Sequence, residues 1–233
     1  MKIKFFPKSM AIPGCFLAMA LALPCSAATI IASWDNFGTF NSNVASPDFT
    51  ANGYTDVSID GQTREIRTDG SGSDDGTFGS DFSGADTSAN NGYLLIEKQQ
   101  DGTEGPSTIF LNFTNNTGAT ITLDSINFDV NNGGNSFYGY EVSFTNNATS
   151  STTVLENNGF IPGDDVYVDV SLATGALTLE DGQSGTFDIL FNDIGSQTNG
   201  SNYMDNIGVA VVPEPSTALL GGLSALLLLR RRR

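Results

Sequence analysis

Carboxylates are the only side chains in the middle of this chain that offer acid–base chemistry or metal coordination. The 233 residues contain no histidine, and the two cysteines, Cys15 and Cys25, both lie near the N-terminus. The absence of histidine excludes the usual general base, the commonest zinc and copper ligand and every Ser-His or Cys-His nucleophile. Chemistry is therefore restricted to paired carboxylates and to hard cations such as Ca²⁺, which prefer oxygen ligands.

Asp205 is the strongest candidate for a metal ligand. It follows the alternation of a predicted strand over residues 203–211 and shares the parity of the apolar residues Ile207, Val209 and Val211. We therefore expect Asp205 to face the core, where a carboxylate needs a partner. Basic residues are scarce in this part of the chain, so a bound cation is expected in preference to a salt bridge. The alternative is a half-solvated Asp205 that accepts backbone N–H bonds.

The acidic residues could in principle form the active site of a glycoside hydrolase. Glycoside hydrolysis needs two positioned carboxylates, but among so many acidic residues some pairs lie close by chance and carry no information. We predict no catalytic residues and no enzymatic activity.

Sugar binding needs exposed aromatic rings. Trp34, the sole tryptophan, is expected in the core, whereas the role of four tyrosines stays open: Tyr93, Tyr138, Tyr140 and Tyr167.

Residues 28–212, which we call the body, are strongly acidic. They contain 25 acidic and three basic residues, hence a net charge of −22, whereas the whole chain has a formal charge of −16. Such a charge repels nucleic acid phosphates and attracts divalent cations and basic partners. Nucleic acid is therefore excluded as a partner.

The body is predicted to be one all-β domain, a two-sheet antiparallel β-sandwich. Gly, Asn, Ser, Thr and Asp interrupt it throughout, and it lacks the apolar periodicity of a helix. A phase slip near Asp124 predicts a β-bulge. The predicted strands cover residues 29–34, 54–59, 65–68, 92–98, 107–114, 120–130, 138–144, 166–172, 176–179, 185–191 and 203–211. Alternation places the following residues in the core: Ile109, Leu111, Phe113, Ile126, Phe128, Val142, Phe144, Val168, Val170, Phe187, Ile189, Ile207 and Val209.

Both ends of the chain carry targeting features. Residues 1–27 are typical of a signal peptide, with a lysine-rich start, an apolar stretch over residues 10–23 and small residues before the body. Residues 217–229 are uncharged and predict a single short transmembrane helix. The arginines that follow, Arg230, Arg231, Arg232 and Arg233, are expected to stop it in the membrane and to remain on the cytoplasmic side.

The tail, residues 213–233, resembles the PEP-CTERM sorting signal of exported bacterial proteins. The resemblance rests on Pro213, Glu214 and Pro215, on the short apolar helix and on the terminal arginine cluster. It implies processing by exosortase, a membrane transpeptidase, with the Pro-Glu-Pro residues as the recognition motif. It further implies export across the inner membrane to the cell surface or the extracellular matrix. The expected function is that of a structural protein associated with exopolysaccharide.

The last predicted strand bears a second resemblance. Tyr203-Met204-Asp205-Asn206-Ile207 is similar to the closing strand of the jelly-roll sandwiches of galactose-binding-like and carbohydrate-binding modules. In that pattern the Asp often lies beside a structural calcium ion close to the first strand. The resemblance implies calcium held by Asp205 together with Asp35. It also supplies the alternative function, a secreted carbohydrate-binding module of jelly-roll architecture.

Overall fold

A computed structural model describes residues 28–34, 44–61, 66–68, 94–97, 107–132, 137–163, 167–194 and 201–212. All of them belong to one compact unit, residues 27–214. The regular elements in these ranges are strands, so the predicted all-β class is confirmed for the described part of the body. None of the described elements is a helix that could cross a membrane. The predicted signal peptide and the predicted tail helix both lie outside the described residues.

Fourteen strands are described. They are β1 (Thr29–Trp34), β2 (Val44–Ala45), β3 (Phe49–Thr50), β4 (Tyr54–Gly61), β5 (Ile66–Thr68), β6 (Leu94–Glu97), β7 (Ser107–Asn115), β8 (Ile121–Asn132), β9 (Phe137–Asn146), β10 (Ser151–Phe160), β11 (Val168–Ala173), β12 (Thr178–Leu179), β13 (Ser184–Ile194) and β14 (Ser201–Val212).

The strands form two antiparallel sheets. The first sheet has the order β11-β8-β14-β1-β3, with β12 beside β8, and with β6 joining β14 to β5. The second sheet has the order β10-β9-β13-β7-β4-β2. The rings of Phe128 in the first sheet and Tyr140 in the second meet edge to face with centroids 5.7 Å apart. Contacts of this kind join the two inner faces into one apolar core.

The core contains nearly all of the residues that alternation assigned to it. Three of them, Phe113, Phe144 and Phe187, form an aromatic cluster on the second sheet. Val168 also faces inward, opposite the core residue Val130, but it is only half-buried. The reason is its position at the start of β11, an edge strand that pairs only with β8. The fully buried members are Ile109, Leu111, Phe113, Ile126, Phe128, Val142, Phe144, Val170, Phe187, Ile189, Ile207 and Val209.

The predicted bulge near Asp124 is confirmed. Ala210 lies opposite Ser125 and Val211 opposite Leu123, so Asp124 has no counterpart in β14. On the other side of β8, the N–H of Thr174 donates to the carbonyl of Asp124 at 2.9 Å, where β12 replaces β11 as the neighbour. The extra residue changes the phase of the strand, and this lets apolar residues on both sides of it reach the core.

Strand β10 was not predicted, because its sequence does not alternate. Most of its residues are exposed, and its pairing with β9 is shifted at two places, once between Val154 and Glu156 and once between Glu156 and Gly159. Each shift reverses the side to which the following residues project, so β10 has no continuous apolar pattern. Strands β2 and β3 were also missed, since two residues give no periodicity.

Candidate functional site

Most of the site residues predicted from the sequence lie outside the described residues. These are Asp35, the sorting motif Pro213, Glu214 and Pro215, and the arginines Arg230, Arg231, Arg232 and Arg233. Asp205 is described, and its side chain is buried, with 2% of its surface exposed.

Asp205 does not share a face with Ile207, contrary to the alternation. Met204 lies opposite Val130 and Asp205 opposite Asp129, and Val130 belongs to the core face of β8. Opposite residues in a sheet project to the same side, so Asp205 projects to the outer side with Asp129. The pairing shifts directly after Asp205, where Asn206 has a φ of 49°. This bulge returns Ile207 to the core and explains the difference.

Asp205 and Asp129 form a buried pair of carboxylates in the first sheet. Asp129 has 0% of its surface exposed. Asn206 contacts both carboxylates: its N–H donates to Oδ1 of Asp205 at 2.8 Å, and its Nδ2 donates to Oδ2 of Asp129 at 2.7 Å. Like charges at opposite positions of a sheet repel each other, so a cation or a proton would stabilise this pair. Asp129 could not be predicted as a site residue from the sequence, because the strand that pairs with β8 at this position is not given by alternation.

The carboxylate pair lies where β14 exchanges one neighbour for another. Met204 is paired with Leu94 of β6, whereas Ile207 is paired with Trp34, the last residue of β1. Asp35, the other ligand predicted from the sequence, lies outside the described residues. The described residues contain no group of three or more acidic, histidine or cysteine side chains arranged for a metal. They therefore supply two carboxylates, and further oxygen ligands would have to come from elsewhere.

The outer side of the second sheet carries a different arrangement, which we call the polar face. Two rows of side chains cross five strands, β4, β7, β13, β9 and β10, in consistent register. Strands are about 4.8 Å apart, so each row is about 19 Å long. One row consists of Ser58, Asn112, Thr186, Thr145 and Thr152. The other consists of Asp60, Phe110, Asp188, Ser143 and Val154.

Hydrogen bonds hold the polar side chains of this face in place. Nδ2 of Asn112 donates to Oδ2 of Asp60 at 2.8 Å, and the hydroxyl of Thr186 donates to Oδ1 of Asn112 at 2.9 Å. The hydroxyls of Thr145 and Thr152 are 3.0 Å apart. Side chains that are already ordered lose little conformational entropy when a ligand binds. The face is therefore organised before any ligand arrives.

Two aromatic rings lie on the polar face. Phe110 is half-buried between Asp60 and Asp188 in its row. Phe160 is 66% exposed and lies opposite Gly139, which in turn lies opposite Asn192. Because glycine has no side chain, no group from β9 stands beside the Phe160 ring in that row. The ring therefore offers an open apolar surface next to polar groups.

The carboxyl of Asp188, at the centre of the polar face, has a raised pKa. Partial burial is the main cause, and hydrogen bonds from Thr145 and Ser143 oppose it. Burial disfavours the charged form of a carboxyl group. A ligand hydroxyl that donates to Asp188 would compensate for the solvation that the carboxylate has lost.

The polar face was not identified from the sequence, although one signal was present. Thr108, Phe110, Asn112 and Thr114 alternate with the core residues of β7, so an aromatic residue stands among polar ones on the outer side. The rows themselves are set by long-range register. Sequence alternation within one strand does not give that information.

A cavity of about 350 Å³ lies near the start of β1 and the end of β14. Its walls are mainly apolar and include Ile31, Tyr54, Ile121 and Val211. Burial raises the pKa of the Tyr54 hydroxyl. The few polar groups in its walls make it less suited than the polar face to a ligand rich in hydroxyl groups.

Comparison with known proteins gives similarity only at the level of structures. No family model matches the chain, and no curated protein matches its sequence. The xylan-binding domain CBM22-1 of Xyn10C from Paenibacillus barcinonensis is 9% identical, with a TM-score of 0.40 over 80% of this chain and 97% of that domain. The family 32 carbohydrate-binding module of NanJ from C. perfringens, solved with galactose, is 14% identical. Its TM-score is 0.38 over 66% of this chain and 93% of that module.

The similar structures are not all carbohydrate-binding modules. The Stig cyclase Fisc from Fischerella sp. TAU is 14% identical, with a TM-score of 0.38 over 80% of this chain and 89% of that protein. Similarities of this size assign neither a family nor a ligand to the chain. The function has to be argued from its own residues.

Proposed function

We propose that the body is a non-catalytic carbohydrate-binding module that attaches an exported protein to a polysaccharide. The observation that carries this proposal is the polar face, where rows of hydroxyl, amide and carboxylate groups lie on the same outer side of the sheet as an exposed phenyl ring. A sugar ring presents hydroxyl groups at its rim and C–H groups on its faces. The rim can exchange hydrogen bonds with the rows, and a face can pack on Phe160 or Phe110.

The charge of the polar face restricts the class of polysaccharide. Among the described residues, four carboxylates lie on this face, those of Asp56, Asp60, Asp188 and Glu141, within a body whose net charge is −22. Like charges placed in contact cost several kcal/mol. A neutral or amine-bearing polysaccharide is therefore favoured over a uronic acid or sulfated polymer.

Phe160→Ala is predicted to weaken polysaccharide binding about ten- to a hundredfold. Packing of a sugar face against a phenyl ring is comparable to burying that side chain, worth about 1.5–3 kcal/mol. Isothermal titration calorimetry of residues 27–214 with neutral, basic and acidic polysaccharides measures the effect. Ser171→Ala, on the exposed outer side of the first sheet, is the control and should bind like the wild type.

Two results would contradict the proposed function. One is a fragment that binds none of the polysaccharides although its circular dichroism shows a folded β-protein. The other is equal binding by Phe160→Ala and the wild type, which would locate the site elsewhere. A preference for acidic polymers would contradict the charge argument alone.

The resemblance of the tail to PEP-CTERM signals supports a second part of the proposal, that exosortase processes the protein at the cell envelope. Strand β14 ends at Val212, directly before Pro213, and Val212 is 41% exposed. In a host that contains exosortase, Glu214→Ala is predicted to impair removal of the tail, because it alters the proposed recognition motif. Mass spectrometry of the exported protein tests this. A terminus that still includes Arg233 on fully exported wild-type protein would contradict it.

Calcium belongs to the proposal as a structural ion. The buried pair of Asp205 and Asp129 offers two carboxylates to one cation, and oxygen ligands suit Ca²⁺. The ion would neutralise the charge of the pair and fix the bulge at Asn206. In this role calcium stabilises the first sheet and takes no part in sugar binding.

A further inference from the structure

Strand β10 is the longest edge strand in the described part of the chain. It has ten residues and pairs only with β9. The other strands at sheet edges are shorter: β11 has six residues, and β2 and β3 have two each. An edge strand presents unpaired backbone N–H and C=O groups, which can form a ladder with a strand from another chain.

The first part of this edge has a regular geometry. Residues Ser151 to Val154 pair with β9 without a shift, and all four are exposed. Threonine and valine favour the extended conformation. The two shifts in register occur only after Val154. Four consecutive residues are therefore available for a further antiparallel strand.

The edge is almost uncharged, in contrast to the rest of the body. Between residues 142 and 163 the only charged side chain is Glu156. Its Oε1 accepts hydrogen bonds from the backbone N–H groups of Asn157 and Asn158, both at 2.9 Å. Edge strands that avoid association usually carry charged residues or proline. For two bodies of charge −22, an edge with so few charged side chains adds little local repulsion to their approach.

We infer that β10 pairs with β10 of a second copy of this chain, in an antiparallel arrangement about a two-fold axis. We place the axis at Thr153, within the regular part of the edge, so that Thr152 lies opposite Val154; in this register opposite residues project to the same side of the joined sheet. The contact is self-complementary and neutral. It requires no partner other than the chain itself.

This pairing would place the two polar faces on the same side of one continuous sheet. Thr152 and Val154 end the two rows of the polar face, so each row would continue into the second copy. If the polar face binds polysaccharide as proposed above, one long polymer could contact both copies and bind more tightly than a single face allows. The pairing itself does not depend on that function.

Sedimentation equilibrium of residues 27–214, without polysaccharide, tests the inference. The wild type is expected to form dimers in proportion to its concentration. Thr153→Glu should lower the association constant at least tenfold, since two carboxylates would then lie opposite each other across the axis. Ser171→Glu adds the same charge to the edge strand β11 and should associate like the wild type. Circular dichroism confirms that each variant is folded.

A cysteine introduced at the axis provides an independent readout. The body has no cysteine, so Thr153→Cys creates its only thiol. Opposite residues in a sheet have Cα atoms about 4.5–5.5 Å apart, within the range of a disulfide. Mild oxidation should link Thr153→Cys into dimers and leave Ser171→Cys monomeric. A wild type that stays monomeric at every concentration, or a Thr153→Glu variant that associates like Ser171→Glu, would overturn the inference and leave the carbohydrate-binding proposal intact.

Discussion

Phe187→Ala is expected to lower the free energy of unfolding of the body by about 3–5 kcal/mol, the usual cost of truncating a buried phenylalanine. Phe187 has 0% of its surface exposed. Its ring centroid is 4.9 Å from that of Phe144 and 6.0 Å from that of Phe113. Truncation removes these contacts and leaves a cavity at the centre of the second sheet. Equilibrium unfolding in guanidinium chloride measures the loss.

Phe110→Ala is the matched control for Phe187→Ala. Phe110 lies opposite Asp188, the next residue along β13, but on the outer side of the same sheet, where it is half-buried. Its truncation should cost roughly 1 kcal/mol of stability, because it opens no enclosed cavity. It should weaken polysaccharide binding instead. A similar loss of stability in both variants would contradict the assignment of one ring to the core and the other to the polar face.

Calcium is expected to raise the midpoint of thermal unfolding of the body, and a chelator should reverse the effect. If calcium binds the folded state alone, stabilisation grows as RT ln(1 + [L]/Kd) and reaches about 2.7 kcal/mol at a hundredfold excess over Kd. The proposed ligands Asp205 and Asp129 repel each other without an ion. Asp205→Asn should therefore remove the response to calcium while leaving the calcium-free protein as stable as the wild type or more so.

Magnesium at matched concentration and ionic strength is the control for general screening of the acidic body. A specific site should respond more strongly to calcium, because Mg²⁺ demands stricter octahedral geometry and retains its water. Asp181→Asn supplies the control for charge. Asp181 is exposed in the turn between β12 and β13 and is paired with neither proposed ligand. The contrary outcome is that calcium and magnesium raise the midpoint of thermal unfolding equally, in the wild type and in Asp205→Asn alike. That result would contradict a specific site and attribute the effect to general screening of the acidic body.

The central strands could be predicted from the sequence because each is buried on one side. Strands such as β7, β9 and β13 alternate between core and outer residues, and the inter-sheet core follows from that alternation. The bulge at Asp124 could also be predicted, because a slip of one residue changes the phase of every apolar position after it. Strand β10 could not be predicted in this way, because its two shifts in register interrupt the alternation.

Less of the candidate sites than of the fold could be predicted from the sequence. The prediction that Asp205 is buried agrees with the structure, but its side was misassigned because the bulge at Asn206 interrupts the alternation. Asparagine tolerates a positive φ better than most residues, so Asn206 was the one available signal. The polar face depends on which residues of distant strands lie opposite each other, and that pairing is a property of topology.

The first and last strands of the body lie side by side, with Trp34 opposite Ile207 and Thr29 opposite Val211. Strand β14 also separates β1 from β8, so the centre of the first sheet is missing until the final residues of the body are available. A chain that emerges with its N-terminus first, from a ribosome or through a pore, therefore cannot complete this sheet early. Contacts between such distant residues also form slowly, because closing a long loop costs entropy before any contact compensates for it. The topology thus makes the first sheet the last part of the body to be completed, whereas the second sheet requires no strand after β13.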